Sequence, residues 1–136
     1  MAVYRLTPMG GRADEPDPDR RILVVEDDLA LRELVVTVLE DEGYAVIAAR
    51  VPLDAAALLE QVRFDLVITD GFSRTGSAVF TSTADVLQAA GATPVALFSA
   101  HTLELDAARA AGFRDLITKP VDLETLERQV RALLDT

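Results

Sequence analysis

The sequence predicts a doubly wound α/β fold, in which a five-stranded parallel sheet of order 2-1-3-4-5 carries helices on both faces. Apolar runs and helical patterns alternate five times from Arg21 onward. Parallel strands need crossover connections, and these are usually helices of one hand. Three of the apolar runs contain almost no polar residue, which is typical of strands covered on both faces. The order 2-1-3-4-5 brings the carboxyl ends of the first and third strands together.

Each strand is predicted from one short apolar run along the chain. The five predicted strands are Ile22–Val25, Ala45–Ala48, Leu66–Thr69, Val95–Phe98 and Asp115–Thr118.

The helices are predicted from apolar residues at helical spacing and from residues that favour helix ends. In the first helix, Asp28 can cap the start and Gly43 marks the end. Its apolar positions are Leu31, Leu34, Val35, Val38 and Leu39. The remaining helices are predicted at Asp54–Arg63, Ala84–Ala90, about Leu103 to Ala111, and from Asp122 through Leu133.

Length and composition predict one domain, because 136 residues that are half apolar can bury one core but hardly two. The first nineteen residues contain three prolines and an acidic run, a composition that buries little apolar surface. We therefore expect residues 1–20 to form a flexible leader and residues 21–136 to form the domain. In this interpretation the chain ends after the last helix without an output domain.

Charge and the absence of cysteine narrow the functional classes. A formal net charge of −10 argues against direct binding to nucleic acid, which depends on basic residues. The chain has no cysteine for a disulfide or a thiolate metal site. Its apolar runs are too short for export or for spanning a membrane, so we expect a cytoplasmic protein without a membrane partner.

Charged residues follow three of the predicted strands. Glu26 and Asp27 come after the first strand, Asp70 after the third, and Lys119 after the fifth. Ligands of open parallel sheets bind outside the carboxyl ends of the strands. These residues would therefore form a crevice suited to a divalent cation and a phosphoryl group. Simpler explanations remain open, since acids favour helix starts, and both Asp-Gly and Lys-Pro occur in ordinary turns.

From Arg21 to about Leu134 the chain resembles the receiver domains of two-component response regulators. Four matching segments carry the resemblance, in family order and at family spacing. They are Val24-Val25-Glu26-Asp27-Asp28, Val67-Ile68-Thr69-Asp70, the segment from Pro94 to Ala100, and Ile117-Thr118-Lys119-Pro120.

The resemblance implies a role for each matching residue. Asp70 would accept the phosphoryl group, and Glu26, Asp27 and Asp70 would bind Mg²⁺ together with the backbone carbonyl of residue 72. Ser99 and Lys119 would contact the new phosphoryl oxygens. Magnesium takes oxygen ligands of this kind, and it neutralises charge during phosphoryl transfer.

Three positions near this site distinguish the chain from the family pattern. After Asp70 the family usually has a methionine-proline pair and then a glycine, whereas this chain reads Gly71-Phe72-Ser73-Arg74. Phe72 stands where the backbone carbonyl normally reaches the metal, and its bulky ring could limit the entry of water or of a phosphodonor. Leu116 occupies the position where receivers often carry an aromatic switch residue. His101 is the only histidine and is a candidate gate for the pocket, although a lone loop histidine is more often simply solvated.

We predict a phosphoacceptor domain that receives its phosphoryl group from a histidine kinase or a phosphotransfer protein and then changes its affinity for a downstream protein. It would not be an enzyme, beyond assisting its own phosphorylation and slow dephosphorylation. One alternative is a receiver-like interaction module that signals without phosphorylation. Another is a metal-dependent phosphohydrolase, although such enzymes usually carry a second acid where this chain has Phe72.

Overall fold

A computed structural model of the chain describes residues 3–4, 20–71, 83–99, 105–120 and 122–135. Within these ranges the chain forms six strands and five helices. The strands are β1 (Val3–Tyr4), β2 (Arg21–Val25), β3 (Ala45–Ala49), β4 (Leu66–Asp70), β5 (Val95–Ser99) and β6 (Asp115–Thr118). The helices are α1 (Leu29–Asp41), α2 (Pro52–Gln61), α3 (Ala84–Ala90), α4 (Leu105–Ala111) and α5 (Leu123–Leu134).

The strands form one sheet in the order β1-β3-β2-β4-β5-β6. The five strands from β2 to β6 are parallel to one another, with Val25 opposite Thr69 and Asp70 opposite Phe98. They correspond one for one to the five predicted strands, so the predicted order 2-1-3-4-5 is confirmed. The central pair β2 and β4 therefore places Glu26 and Asp70 at the same edge of the sheet.

The strand β1 was not predicted. It pairs with β3 in the antiparallel sense, and Val3 and Tyr4 lie opposite Ala48 and Ile47. At the end of the predicted leader, the Arg20 carbonyl accepts from the Ala45 N–H at 3.0 Å, and the Arg20 guanidinium donates to the Leu134 carbonyl. Arg20 is thus anchored to the domain. The other leader residues lie outside the described ranges, and the domain boundary stays a prediction.

Two apolar cores lie on opposite faces of the sheet. On one face, α1 and α5 cover alternate residues of the central strands, including Ile22, Val24 and Ile68. On the other face, α2, α3 and α4 cover the residues between them, such as Leu23 and Val67. Because successive side chains of a strand point to opposite faces, this double burial explains the continuous apolar runs.

The helix ends follow local chemistry, with small shifts from the predicted bounds. The Asp28 carboxylate accepts from the Leu31 N–H, which confirms Asp28 as the predicted cap of α1. Asp122 accepts from the Thr125 N–H and caps α5. α2 ends at Gln61 rather than Arg63 because Val62 is already extended. Leu34 was predicted on the buried side of α1 but is exposed to solvent.

In the part of the chain that the structure describes, no helix is long and apolar enough to cross a membrane.

The docking of α5 yields a stability prediction. Leu126 is 0% exposed in the core beneath α5, whereas Leu123 on the same helix is 39% exposed. We expect Leu126→Ala to lower the free energy of unfolding by about 2–5 kcal/mol, because it removes buried apolar contacts and leaves a cavity. Urea denaturation measures the change, with Leu123→Ala as the matched control at well under half that loss. Equal losses in both variants would contradict the described packing of α5.

Candidate phosphoacceptor and metal site

The charged residues predicted to meet do meet, at the carboxyl edge of the sheet. Glu26 follows β2, Asp70 is the last residue of β4, and Lys119 follows β6. The strand between them contributes Phe98 and Ser99 at its end. One end of four parallel strands therefore supplies the whole arrangement.

Glu26 is held from several directions. Its side chain is 1% exposed, and its backbone N–H donates to the Ala49 carbonyl of β3 at 3.0 Å. Its own carbonyl accepts from Arg32 Nη1 at 2.9 Å, and its Oε2 accepts from the Asp28 N–H at 3.1 Å. These contacts fix both the backbone and the carboxylate, so Oε1 points toward the lysine.

The Lys119 ammonium bridges two carboxylates. Its Nζ lies 2.9 Å from Glu26 Oε1 and 2.9 Å from Asp70 Oδ1, and its side chain is only 16% exposed. The backbone N–H of Lys119 donates to the Ser99 carbonyl at 2.9 Å, which ties the residue to the end of β5. A single cation therefore stabilises two acids that would otherwise repel each other.

Burial and ion pairing have opposing effects on these groups. Burial raises the pKa of Glu26 to about 7; the contacts with Lys119 and the Asp28 N–H lower it less, and the Asp70 charge adds to the rise. Burial alone would lower the pKa of Lys119, but its close contacts and charge interactions with Glu26 and Asp70 leave that pKa above its usual range. Two acids stabilise the charged form of Lys119, whereas Glu26 shares a single cation with Asp70. Lys119 is therefore the charged partner on which the site relies.

Asp70 is oriented by its neighbours in the chain. Its Oδ1 accepts from the Gly71 N–H at 2.9 Å as well as from Lys119 Nζ at 2.9 Å. Its backbone carbonyl accepts from the Thr69 hydroxyl at 3.0 Å. Among the described residues none donates a hydrogen bond to Oδ2. The side chain thus has one anchored oxygen and one that remains available for chemistry or for metal binding.

Three carboxylates are close enough to share a metal ion. Glu26, Asp27 and Asp70 each offer an oxygen, and these oxygens lie within 4.8 Å of one another. Glu26 Oε1 is buried, and its only partner in the described ranges is the Lys119 ion pair, without a well-aligned hydrogen bond. A buried oxygen of this kind fits a ligand for a hard divalent cation. The cluster can therefore hold a metal ion.

The other predicted site residues divide into two groups. Ser99 is buried at the end of β5, with Thr118 opposite it on β6. Leu116 packs against the core beneath α2, α3 and α4, and its carbonyl accepts from Gln129 Nε2 at 3.1 Å. Phe72 and His101 lie outside the described residues. The metal role of the Phe72 carbonyl and the gating role of His101 stay predictions.

Sequence reasoning missed two residues that contact this site. Arg32 is 8% exposed on α1 and reaches back to the Glu26 carbonyl. Phe98 places its ring beneath the Lys119 ammonium, 4.9 Å from Nζ to the ring centroid. Arg32 could have been noticed as a charge next to the apolar stripe of α1. The role of Phe98 depends on a contact between strands, which the local pattern does not encode.

A family model described as the response regulator receiver domain matches residues 22–131, the part of the chain that contains these three acids and the lysine. The chain belongs to this family. Receiver domains are signalling domains that interact with histidine kinases and downstream targets, and their phosphoacceptor site is an acidic pocket of this type. The predicted family and its phosphorelay signalling function are therefore confirmed at family level.

Relatives in sequence support the assignment. The receiver is 33% identical to the protein PilH of Pseudomonas aeruginosa over 118 residues, which covers 84% of this chain and 97% of PilH. It is 32% identical to the phosphate regulon transcriptional regulatory protein PhoB of Escherichia coli over 125 residues. That match covers 85% of this chain but only 52% of PhoB.

Solved structures support the fold. The chemotaxis protein CheY4 of Vibrio cholerae superposes with a TM-score of 0.71 at 26% identity, covering 84% of this chain and 98% of CheY4. The receiver domain of a sensor histidine kinase of Pseudomonas aeruginosa, described with a magnesium ion coordinated in its active site cleft, gives a TM-score of 0.70 at 22% identity. This match covers 86% of this chain and 98% of that domain. At this identity the likeness shows the fold.

The raised pKa of Glu26 predicts a pH effect on the metal-free receiver. Between pH 4.5 and about pH 7 the unfolded chain ionises Glu26 while the folded domain keeps it largely protonated. The contribution of Glu26 to stability is therefore fully present below pH 4.5 and is lost as the pH rises through about 7.

Thermal unfolding with a chelator at several pH values measures this effect. We expect the stability difference between the wild type and Glu26→Gln to shift in favour of the variant as the pH rises over this window. The variant Asp54→Asn, in an exposed acid of α2, controls for general charge effects. If the difference in stability between the wild type and Glu26→Gln stays the same at every pH, the prediction is contradicted.

Proposed function

We propose that this receiver accepts a phosphoryl group on Asp70, with Mg²⁺ bound by Glu26, Asp27 and Asp70, and that phosphorylation changes its affinity for a partner protein. The observation that carries the proposal is the Lys119 ammonium, which lies 2.9 Å from both Asp70 and Glu26 at the edge of the acidic cluster. A cation beside a cluster of three carboxylates is suited to bind the charged oxygens of a phosphoryl group.

The geometry of Asp70 supports different tasks for its two oxygens. Oδ1 is held by Gly71 and Lys119, which fixes the plane of the carboxylate. Oδ2 would form the new bond to phosphorus as the bond from phosphorus to the leaving group breaks. In phosphoryl transfer most catalysis comes from positioning and from electrostatic stabilisation, so a preoriented carboxylate whose Oδ2 accepts no hydrogen bond from the described residues is a suitable acceptor.

The remaining site residues would stabilise the product. Lys119 can follow the charge from Asp70 to the phosphoryl oxygens because its flexible stem permits a small shift. The Ser99 hydroxyl comes from the end of β5, beside Asp70 on β4, and would bond another phosphoryl oxygen. Bound Mg²⁺ would neutralise the negative charge that accumulates on the transferred group. Slow loss of the phosphoryl group to water would reset the domain.

The proposed donor is a histidine kinase or a phosphotransfer protein, and the proposed output is a change in binding to a downstream protein. Both follow from family membership rather than from a contact in this structure. The proposed location is the cytoplasm.

A second candidate function rests on Leu116. Its side chain packs toward the core beneath α4, and Gln129 holds its carbonyl, so β6 is tied to α5 without an aromatic switch residue. This arrangement favours a receiver whose interaction surface is already formed before phosphorylation. Equal partner binding by the phosphorylated wild type and by an unphosphorylated Asp70→Asn variant would support this alternative.

The acceptor prediction is tested by intact mass measurement after incubation with acetyl phosphate and magnesium. We expect the wild type to gain one phosphoryl group and Asp70→Asn to gain none, because the amide nitrogen is a poor nucleophile. Asp54→Asn, in an exposed acid of α2, is the control and should react like the wild type. An equal gain in Asp70→Asn would place the acceptor on another residue.

The metal prediction is tested by thermal unfolding with increasing magnesium. A ligand that binds only the folded state stabilises it by about 2.7 kcal/mol at a concentration one hundred times the Kd, which corresponds to a rise in Tm on the order of 10 °C. We expect this rise in the wild type and in Asp54→Asn, and a strong reduction in Asp27→Asn. A wild type without any rise would contradict the proposed metal site.

A further inference from the structure

We propose that Phe98 is a positioning residue for Lys119. The face of the Phe98 ring keeps the Lys119 ammonium in the site while Glu26 binds metal and Asp70 accepts the phosphoryl group. This inference rests on the proposed function, because it concerns how the lysine behaves during phosphorylation of Asp70.

The sheet topology places Phe98 under the lysine stem. Lys119 follows β6, and its ammonium must reach Asp70 on β4 and Glu26 after β2. The strand in between is β5, where Phe98 lies opposite Asp70 on one side and Ile117 on the other. The lysine side chain therefore passes over β5, and the ring of Phe98 lies 4.9 Å from Nζ.

The ring is also well fixed. Phe98 is buried in the core covered by α1 and α5, where it packs among residues of both helices and the central strands. Its neighbour Leu97 packs in the core on the other face of the sheet, because side chains alternate along a strand. A ring anchored in this way offers its electron-rich face to the ammonium, and this attraction strengthens where water is excluded.

The chemistry distinguishes the ring from the other partners of Lys119. Glu26 Oε1 and Asp70 Oδ1 hold the ammonium in the free domain, but these are the groups that metal binding and phosphorylation would engage. The Phe98 ring takes part in neither event. It can therefore hold the flexible lysine over the site before and after transfer, so that the ammonium meets the phosphoryl oxygens.

The experiment exploits the fact that Lys119 is the only lysine in the chain. A sample labelled with ¹³C at lysine Cε gives one side-chain NMR signal, and a position above a ring face shifts the attached protons upfield. We compare the wild type with Phe98→Leu, which removes the ring but keeps an apolar side chain. The matched control is Phe113→Leu, which removes a buried ring at the opposite end of β6.

We expect the upfield shift in the wild type and in Phe113→Leu, and its loss in Phe98→Leu. The shift should persist when the wild type carries magnesium and a phosphoryl group. The rate of phosphorylation by acetyl phosphate at saturating magnesium should fall roughly three- to thirtyfold in Phe98→Leu, the range expected for loss of a cation–π contact. Phe98→Tyr, which retains a ring face, should restore most of the rate.

Several outcomes would overturn the proposal. These are an unchanged lysine signal in Phe98→Leu, a wild-type shift that disappears on phosphorylation, or equal slowing by Phe98→Leu and Phe113→Leu. If the wild type takes no phosphoryl group, the proposed function fails by itself. NMR relaxation of the labelled lysine Cε then decides alone: faster side-chain motion in Phe98→Leu than in the wild type and in Phe113→Leu supports positioning by the ring, and equal motion in all three overturns it.

Discussion

The Lys119 ammonium between Glu26 and Asp70 is the interaction on which the site depends. Two carboxylates are brought together at the end of β2 and β4, and one of them is almost fully buried. Without a cation, burial and mutual repulsion would both oppose their ionisation. Lys119 supplies that cation from the end of the edge strand β6, and its Nζ lies 2.9 Å from each acid. The ammonium that stabilises the free domain also lies where it could bind the oxygens of a phosphoryl group. One side chain therefore serves both stability and the proposed chemistry.

The fold brings these residues together at the carboxyl edge of the sheet, and contacts from neighbouring elements hold them there. Glu26 is fixed by β3 through Ala49, by α1 through Arg32, and by the α1 start through Asp28. Lys119 is tied to β5 by its backbone and rests over the ring of Phe98. Glu26 and Lys119 are thus each anchored by elements other than their own. Rigid support of this kind favours catalysis by positioning, which is the main source of rate in phosphoryl transfer.

The last strand and the last helix, β6 and α5, are joined by contacts of a different kind from those of the site. Leu116, which the resemblance to the family aligns with an aromatic residue of many receivers, packs against the core next to α4. Gln129 joins α5 to β6 through the Leu116 carbonyl and the Asp115 carboxylate, at 3.1 and 3.3 Å. These polar contacts link the last strand and the last helix into one unit. A signal that leaves the site through β6 would therefore move or loosen this unit as a whole, since there is no ring to rotate between two positions.

The sequence by itself determined the strand order, the two covered faces and the meeting of Glu26, Asp27, Asp70 and Lys119. These features follow from local patterns, because continuous apolar runs predict buried parallel strands, and parallel strands end at one edge. Only the tertiary structure decided that β1 pairs with β3, that Arg32 holds the Glu26 carbonyl and that Phe98 lies beneath Lys119. It also showed that Leu34, part of the predicted apolar stripe, faces solvent. These contacts join residues whose positions depend on how whole helices and strands pack against each other. The spacing of apolar residues and the capping of helices depend only on neighbours along the chain.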